Sequence, residues 1–352
     1  MGRRTGDVHL NDGRHERQMR MSDVGIDGQR RFAQARVAIV GCGGLAAGSL
    51  PALVGAGIGH IRLIDDDVVA MSNLHRQMLF TEADLDLPKA EVAAAWARAR
   101  DETLTIEVRA ERLDAANAVD LLDGVDIVID GTDTLAARWA IDAATEQLSL
   151  PWCFAAIDRW TAQVALLNIK GGATLSDLIA PGSAEPASCS EVGVLGASVL
   201  TVGALQANEV LRFLLGLTVA SANAILVVEL DAMVIRRLEI RGRRSHISDN
   251  HSSVDLKTRT FSPDTLHDRI LNGWSPRLID VMQDSIDLDN LKQSTDEILL
   301  VCPLGLRSMR VAAQWIARGF DAERVFILEG GLDSWHIRGF DRNLITQTES
   351  PA

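Results

Sequence analysis

Arg36 leads an unbroken apolar run to Val40 that ends in a glycine turn, and residues 45–54 then stay apolar for nearly three helical turns. A buried strand feeding a buried helix reads this way. Residues 60–64 repeat the strand pattern. Helical spacing over 88–102, a strand at 105–108, a helix near 115–122 and a strand at 125–130 continue the alternation. Strands alternating with helices predict a parallel sheet with crossover helices on both faces. Beyond a helix at 135–148, the segments 152–157 and 163–169 face each other across a turn, so the sheet is expected to become antiparallel. An apolar helix at 194–215 and a hairpin of 225–230 with 234–240 follow. Pro51 falls inside the first helix, where it should kink it.

Between 241 and 260 the composition shifts to Arg, Ser, His, Asp and Asn, which marks a connection. A second small α/β unit is expected after it, with strands at 277–281, 298–302 and 324–328 and a helix at 307–318. The expected division is therefore a first domain over 1–242, a linker over 243–260 and a second domain over 261–345.

Composition excludes several partners. With 352 residues, 47% apolar and 24% charged, the chain has the profile of a globular protein of more than one domain. Its net charge of −13 argues against nucleic acid and against an anionic membrane surface, both of which recruit Lys and Arg. Residues 37–59 carry no charge and are long enough to span a bilayer, but seven glycines interrupt them, and a strand with a glycine turn explains them better. Four isolated cysteines, Cys42, Cys153, Cys189 and Cys302, form no disulfide framework, so a reducing cytoplasm is expected. Residues 1–13 are polar and hold no apolar core of a signal peptide.

The candidate chemistry starts at Gly41-Cys42-Gly43-Gly44. Gly41, Gly43 and Gly44 let backbone N–H groups approach a phosphate at the start of a helix, whose dipole favours anions. Asp65-Asp66-Asp67 ends the next strand, where a carboxylate accepts from ribose hydroxyls. To this point NAD and ATP fit equally. Ser72 to Gln77 and then Lys89 separate them, because Arg76 and Lys89 put two cations beside the phosphate turn. Nucleotidyl transfer needs such cations as charge develops on departing pyrophosphate, and a hydride transfer does not. Asp133, just past the end of a strand, is placed to hold Mg²⁺.

This ordered set resembles the ThiF/MoeB/HesA family, the bacterial relatives of ubiquitin-activating enzymes, over residues 14–240. The elements that carry it are Arg17 and Gln18, Gly41 to Gly44, Asp65, Asn73 with Arg76 and Gln77, Pro88 and Lys89, Asp133, Cys189, Gly193 to Gly196, and Gln206 with Ala207. The resemblance implies a Rossmann-like fold and ATP contacts from Gly44, Asp65, Asn73, Arg76 and Lys89. Asp67, Ser72 and Thr134 are taken with them as cofactor-binding neighbours. It further implies magnesium at Asp133, a homodimer in which Arg17 reaches the partner subunit's site, and an acyl link on Cys189. Thr134 stands where the family usually has asparagine. The two cysteine pairs that hold zinc in most members are missing, and His246 and His251 do not replace them, so no zinc is expected.

Cys302-Pro303-Leu304-Gly305-Leu306-Arg307-Ser308 runs from a strand end into a helix, where loop N–H groups and the helix dipole stabilise a thiolate or persulfide. Residues 264–340 resemble a rhodanese-like sulfurtransferase, with a shortened stretch at 283–294. Cys42 and Cys153 read as core residues. Together the resemblances imply adenylation of the C-terminal glycine of a ubiquitin-like sulfur carrier ending in Gly-Gly. Sulfur would then pass from a Cys302 persulfide, supplied by a donor such as a cysteine desulfurase, to give a thiocarboxylate. The alternatives are adenylation of another carboxylate or carbamoyl group with a vestigial second unit, a non-catalytic scaffold, and a nicotinamide oxidoreductase.

Overall fold

A computed structural model of the chain describes residues 13–180, 193–240, 259–281, 288–302 and 306–341. It divides into two compact units, residues 1–247 and 248–352.

The first unit opens with two helices the apolar pattern did not announce, α1 (Glu16–Met19) and the amphipathic α2 (Gly25–Gln34). Then come β1 (Arg36–Val40), α3 (Gly44–Ala56), β2 (His60–Ile64), α4 (Lys89–Arg100), β3 (Thr105–Arg109), α5 (Ala118–Leu122), β4 (Ile127–Asp130) and α6 (Leu135–Leu148). They are followed by β5 (Trp152–Asp158), β6 (Thr161–Leu167), α7 (Gly196–Leu214), β7 (Ala224–Glu229) and β8 (Val234–Glu239). The sheet runs β3-β2-β1-β4-β5-β6-β7-β8. It is parallel through β5 and antiparallel from β5 to β8. The mixed α/β architecture expected from the alternation is thus present. β1 and β4 read as continuous apolar runs because both faces are covered, whereas β8 is exposed along its whole length at the open edge.

Small residues let α3 and α7 approach closely. A Cβ on Gly203 would lie 2.1 Å from the Leu45 carbonyl oxygen, and one on Gly48 would lie 2.4 Å from that of Leu200. The helices therefore meet backbone to backbone, which holds the amino end of α3 against the sheet. α3 runs from Gly44 to Ala56 as one helix with Pro51 inside it.

The second unit has a four-stranded parallel sheet in the order β10-β11-β12-β9, built from β9 (Thr260–Phe261), β10 (Arg277–Asp280), β11 (Ile298–Val301) and β12 (Val325–Leu328). Its helices are α8 (Pro263–Leu271), α9 (Leu288–Gln293), α10 (Leu306–Ala317) and α11 (Gly331–Ile337). One core layer packs Ile298, Leu300, Ala312 and Trp315; the other packs Leu299, Val301, Phe326 and Trp335. Strand β9 and helices α8, α9 and α11 went unread, since elements of two to nine residues are too short to show a clear period.

Replacing Gly203 by Ala is expected to cost about 1–3 kcal/mol, because the new methyl meets backbone that cannot step aside. Gly55→Ala, where the space is open, should instead gain about 0.5–1 kcal/mol. Urea midpoints of the two variants check both signs.

Candidate functional site

β1 is flanked by β2 on one side and by β4, which the chain enters from the far edge, on the other. Connections leaving β1 and β4 diverge, so a crevice opens beyond their carboxyl ends. Two turns meet in it. Gly41 has φ +87°, and a Cβ there would lie 2.7 Å from the Gly131 carbonyl carbon; a Cβ on Gly131 would lie 2.3 Å from the Gly41 oxygen. Each position therefore requires glycine. α3 starts just beyond, and no side chain caps its N-terminus at Gly43. Its first N–H groups, which have no partner within a helix, are left for a ligand.

A cleft of about 1190 Å³ occupies this crevice, with Gly41, Gly43, Gly44, Asp65, Asp67, Arg76, Lys89, Asp133 and Thr134 on its wall. Asp65 accepts from the Cys42 N–H at 2.6 Å and from the Asp67 N–H at 2.7 Å. Burial pushes its carboxyl above the usual range, against the opposing pull of those two N–H groups and of Lys89. Lys89, nearly enclosed, sets Nζ 2.8 Å from Asp67 Oδ2, and its N–H donates to the Asp67 carbonyl at 2.9 Å. Asp65 therefore ties the glycine turn to the end of β2, while Asp67 aims the Lys89 ammonium at the cleft.

The opposite wall rests on Asp130, which is fully buried and pairs with Arg138 Nε at 2.9 Å. The Thr132 N–H and hydroxyl both donate to Asp130. Arg138 also donates to the carbonyls of Thr132 and Ala155, each at 2.9 Å, and lies over the Phe154 ring at 5.0 Å. From α7, Gln206 donates to the carbonyls of Asp130 and Cys153 at 2.8 and 2.7 Å. This network holds the turn from which Asp133 projects, exposed, into the cleft. Thr134 accepts from the Ala137 N–H and so caps α6, a role that asparagine shares.

Arg138 and Arg112 were missed by sequence reading, and Gln206 was read only as part of the resemblance. Arg138 could have been suspected, as a charge on the apolar face of α6; Gln206 likewise interrupts an apolar helix. Arg112 pairs with Asp66 at 3.1 Å on the cleft rim, and nothing local announces it.

Some expected residues stand elsewhere. Ser72 and Asn73 do not line the cleft. They form the turn behind Arg76: the Ser72 carbonyl accepts from Arg76 Nη1 at 3.0 Å, and the Asn73 carbonyl accepts from the backbone N–H groups of Arg76 and Gln77. Arg17 is exposed on α1, away from the cleft wall. Cys189, His246 and His251 lie outside the described residues. The stretch where the first zinc-binding pair would stand is a capping box, with Thr174 and Asp177 closing a short 3₁₀ turn. Cys42 and Cys153 are buried, and that burial pushes both thiols up.

In the second unit, Cys302 directly follows β11, is 1% exposed, and receives the Ser308 N–H on Sγ at 3.4 Å. Residues 303–305 of the loop lie outside the described residues, and α10 starts at Leu306.

Known proteins share both the sequence and the fold. The ThiF family model matches residues 15–248. The chain is 36% identical to the sulfur carrier protein adenylyltransferase of Thermus thermophilus, over 65% of this chain and 87% of that one. It is 33% identical to the adenylyltransferase and sulfurtransferase MOCS3 of Culex quinquefasciatus, over 69% of this chain but only 57% of that protein's length. The probable adenylyltransferase/sulfurtransferase MoeZ of Mycobacterium tuberculosis is 29% identical over 92% of both chains. Among solved structures, Escherichia coli MccB with ATP superposes with a TM-score of 0.58 at 21% identity, covering 65% of this chain and 72% of that one. PaaA gives 0.56 at 22% identity, over 68% and 78%. These structures share the fold.

Two outcomes follow from the site. Arg138→Met should cost about 3–5 kcal/mol, since it leaves Asp130 charged and unpaired in the interior. Asp65 binds its proton more tightly folded than unfolded, so its protonation favours the native state below the unfolded pKa, and that contribution is lost as pH rises through the folded one. The Tm difference between wild type and Asp65→Asn should therefore move in favour of wild type as pH falls from neutral toward the ordinary aspartate range. Thermal melts of both proteins across that window check the sign.

Proposed function

The chain belongs to the ThiF family, and from that premise we propose that it adenylates the C-terminal carboxylate of a ubiquitin-like sulfur carrier ending in Gly-Gly and then transfers sulfur to it. The observation that carries this reading is the cleft itself: an uncapped helix start behind a glycine turn, with Arg76, Lys89 and Asp133 around it. Relatives named sulfur carrier protein adenylyltransferase and adenylyltransferase and sulfurtransferase support the same chemistry.

The residues fit ATP. Glycines at 41, 43 and 44 keep side chains out of the turn, and the free N-terminus of α3 favours a phosphate. They also fit Mg²⁺, which is held by one or two carboxylates together with substrate phosphates. Asp133 would hold it, and the bound ion would offset phosphate charge. The carrier carboxylate attacks the α-phosphorus of ATP, and pyrophosphate leaves with the bonding pair. Arg76 and Lys89 stabilise that departing charge from fixed positions. Asp67 keeps the Lys89 ammonium at the cleft wall until a phosphate competes for it.

Sulfur arrives as a persulfide on Cys302, loaded by a donor such as a cysteine desulfurase. The outer sulfur attacks the acyl-adenylate carbonyl, AMP leaves, and an acyl disulfide joins carrier and Cys302. Cys189 or an external thiol then cleaves the disulfide, releasing the thiocarboxylate. In this reading the protein works in the cytoplasm as a homodimer, with Arg17 completing the partner subunit's site, and holds no zinc. No helix among the described residues is long and apolar enough to cross a membrane.

ATP–pyrophosphate exchange with purified protein and candidate carriers tests the first half. Exchange should appear only with a carrier ending in Gly-Gly, and Lys89→Ala or Asp133→Ala should lower it about 10²- to 10³-fold. Exchange that ignores every carrier sinks the choice of substrate. Cys302→Ala should keep exchange while abolishing thiocarboxylate formation from a sulfane donor; formation at the wild-type rate removes Cys302 from the mechanism.

A further inference from the structure

Ser308 lies in the first turn of α10, and neither half of the reaction above uses it. Its side chain is fully buried, and its Oγ has no hydrogen-bond partner among the described residues. An unsatisfied buried hydroxyl destabilises a fold, and alanine at the same place would avoid that cost. The same residue's N–H donates to Cys302 Sγ at 3.4 Å. The hydroxyl is thus carried on the Cα next to a group already touching the sulfur. Cys302 is itself buried at the end of a wholly buried strand. A charged sulfur there is cut off from water and depends on donors supplied by the protein.

We propose that the Ser308 hydroxyl donates a hydrogen bond to the outer sulfur of the persulfide on Cys302. The inference rests on Cys302 being the sulfur carrier. The hydroxyl makes no hydrogen bond to Sγ itself, and the outer sulfur of a persulfide extends one bond further from Cys302. An anionic sulfur is a strong acceptor, and the bond gains further in a buried site. The stability forgone in the resting state is thereby recovered when the sulfur is charged.

Thiosulfate and cyanide isolate the step in the full-length protein. The Cys302 thiolate attacks the outer sulfur of thiosulfate, an S–S bond forms on Sγ, and sulfite leaves with the electron pair of the broken bond. Cyanide then removes the added sulfur as thiocyanate and regenerates the thiolate. Wild type, Ser308→Ala and Ser308→Thr are compared by thiocyanate kinetics, by mass spectrometry of the persulfide on the Cys302 peptide, and by Tm.

Ser308→Ala should lower kcat about tenfold or more, the size of a lost hydrogen bond to a charged group. Its KM for thiosulfate should change little, its persulfide should decay faster, and its Tm should stay level or rise. Ser308→Thr should restore most of the kcat. Wild-type kcat and persulfide lifetime in Ser308→Ala overturn the proposal and leave Cys302 as the carrier. A lower Tm in Ser308→Ala also overturns it, by giving the hydroxyl a structural bond. Failure of wild type to hold any sulfur on Cys302 overturns the underlying reading instead.

Discussion

Everything at the cleft depends on two turns that touch through bare backbone. Gly41 after β1 and Gly131 after β4 come so close that neither tolerates a Cβ. Because these strands are neighbours in the sheet, the contact brings the glycine turn and the Asp133 turn to one crevice. Were the turns further apart, the uncapped start of α3 and the Asp133 carboxylate would not line one cleft.

Each turn is then fixed from behind by an acid, Asp65 half-buried and Asp130 fully buried. Asp65 accepts two backbone N–H groups and draws the glycine turn onto the end of β2. Asp130 takes Thr132 and Arg138, and Gln206 on α7 locks its carbonyl. Buried charges of this kind contribute little net stability compared with apolar packing. What they contribute is position, because a satisfied polar network has one geometry and an oily contact has several. The close packing of α3 on α7 through Gly48 and Gly203 serves the same end, since it holds the uncapped helix N-terminus against the sheet. In the second unit, Cys302 follows the carboxyl end of a buried strand and receives the Ser308 N–H on Sγ.

The sequence on its own determined the alternation of strands and helices in the first unit, the point near Trp152 where the sheet turns antiparallel, and several of the residues that line the cleft. Period and composition are local properties, so β1, β4 and α6 are legible in ten residues each. Gly41, Asp65, Arg76, Lys89 and Asp133 were legible because their chemistry has few other uses in that order. Tertiary structure alone decided which of them meet. It set Ser72 and Asn73 in the turn that supports Arg76, and it recruited Arg138 and Gln206, whose partners lie 8 and 76 residues away. It also showed the Ser308 hydroxyl to be buried with no partner among the described residues, which no local pattern encodes. Contacts between distant segments arise from packing, and packing is settled only when the whole chain has closed around its core.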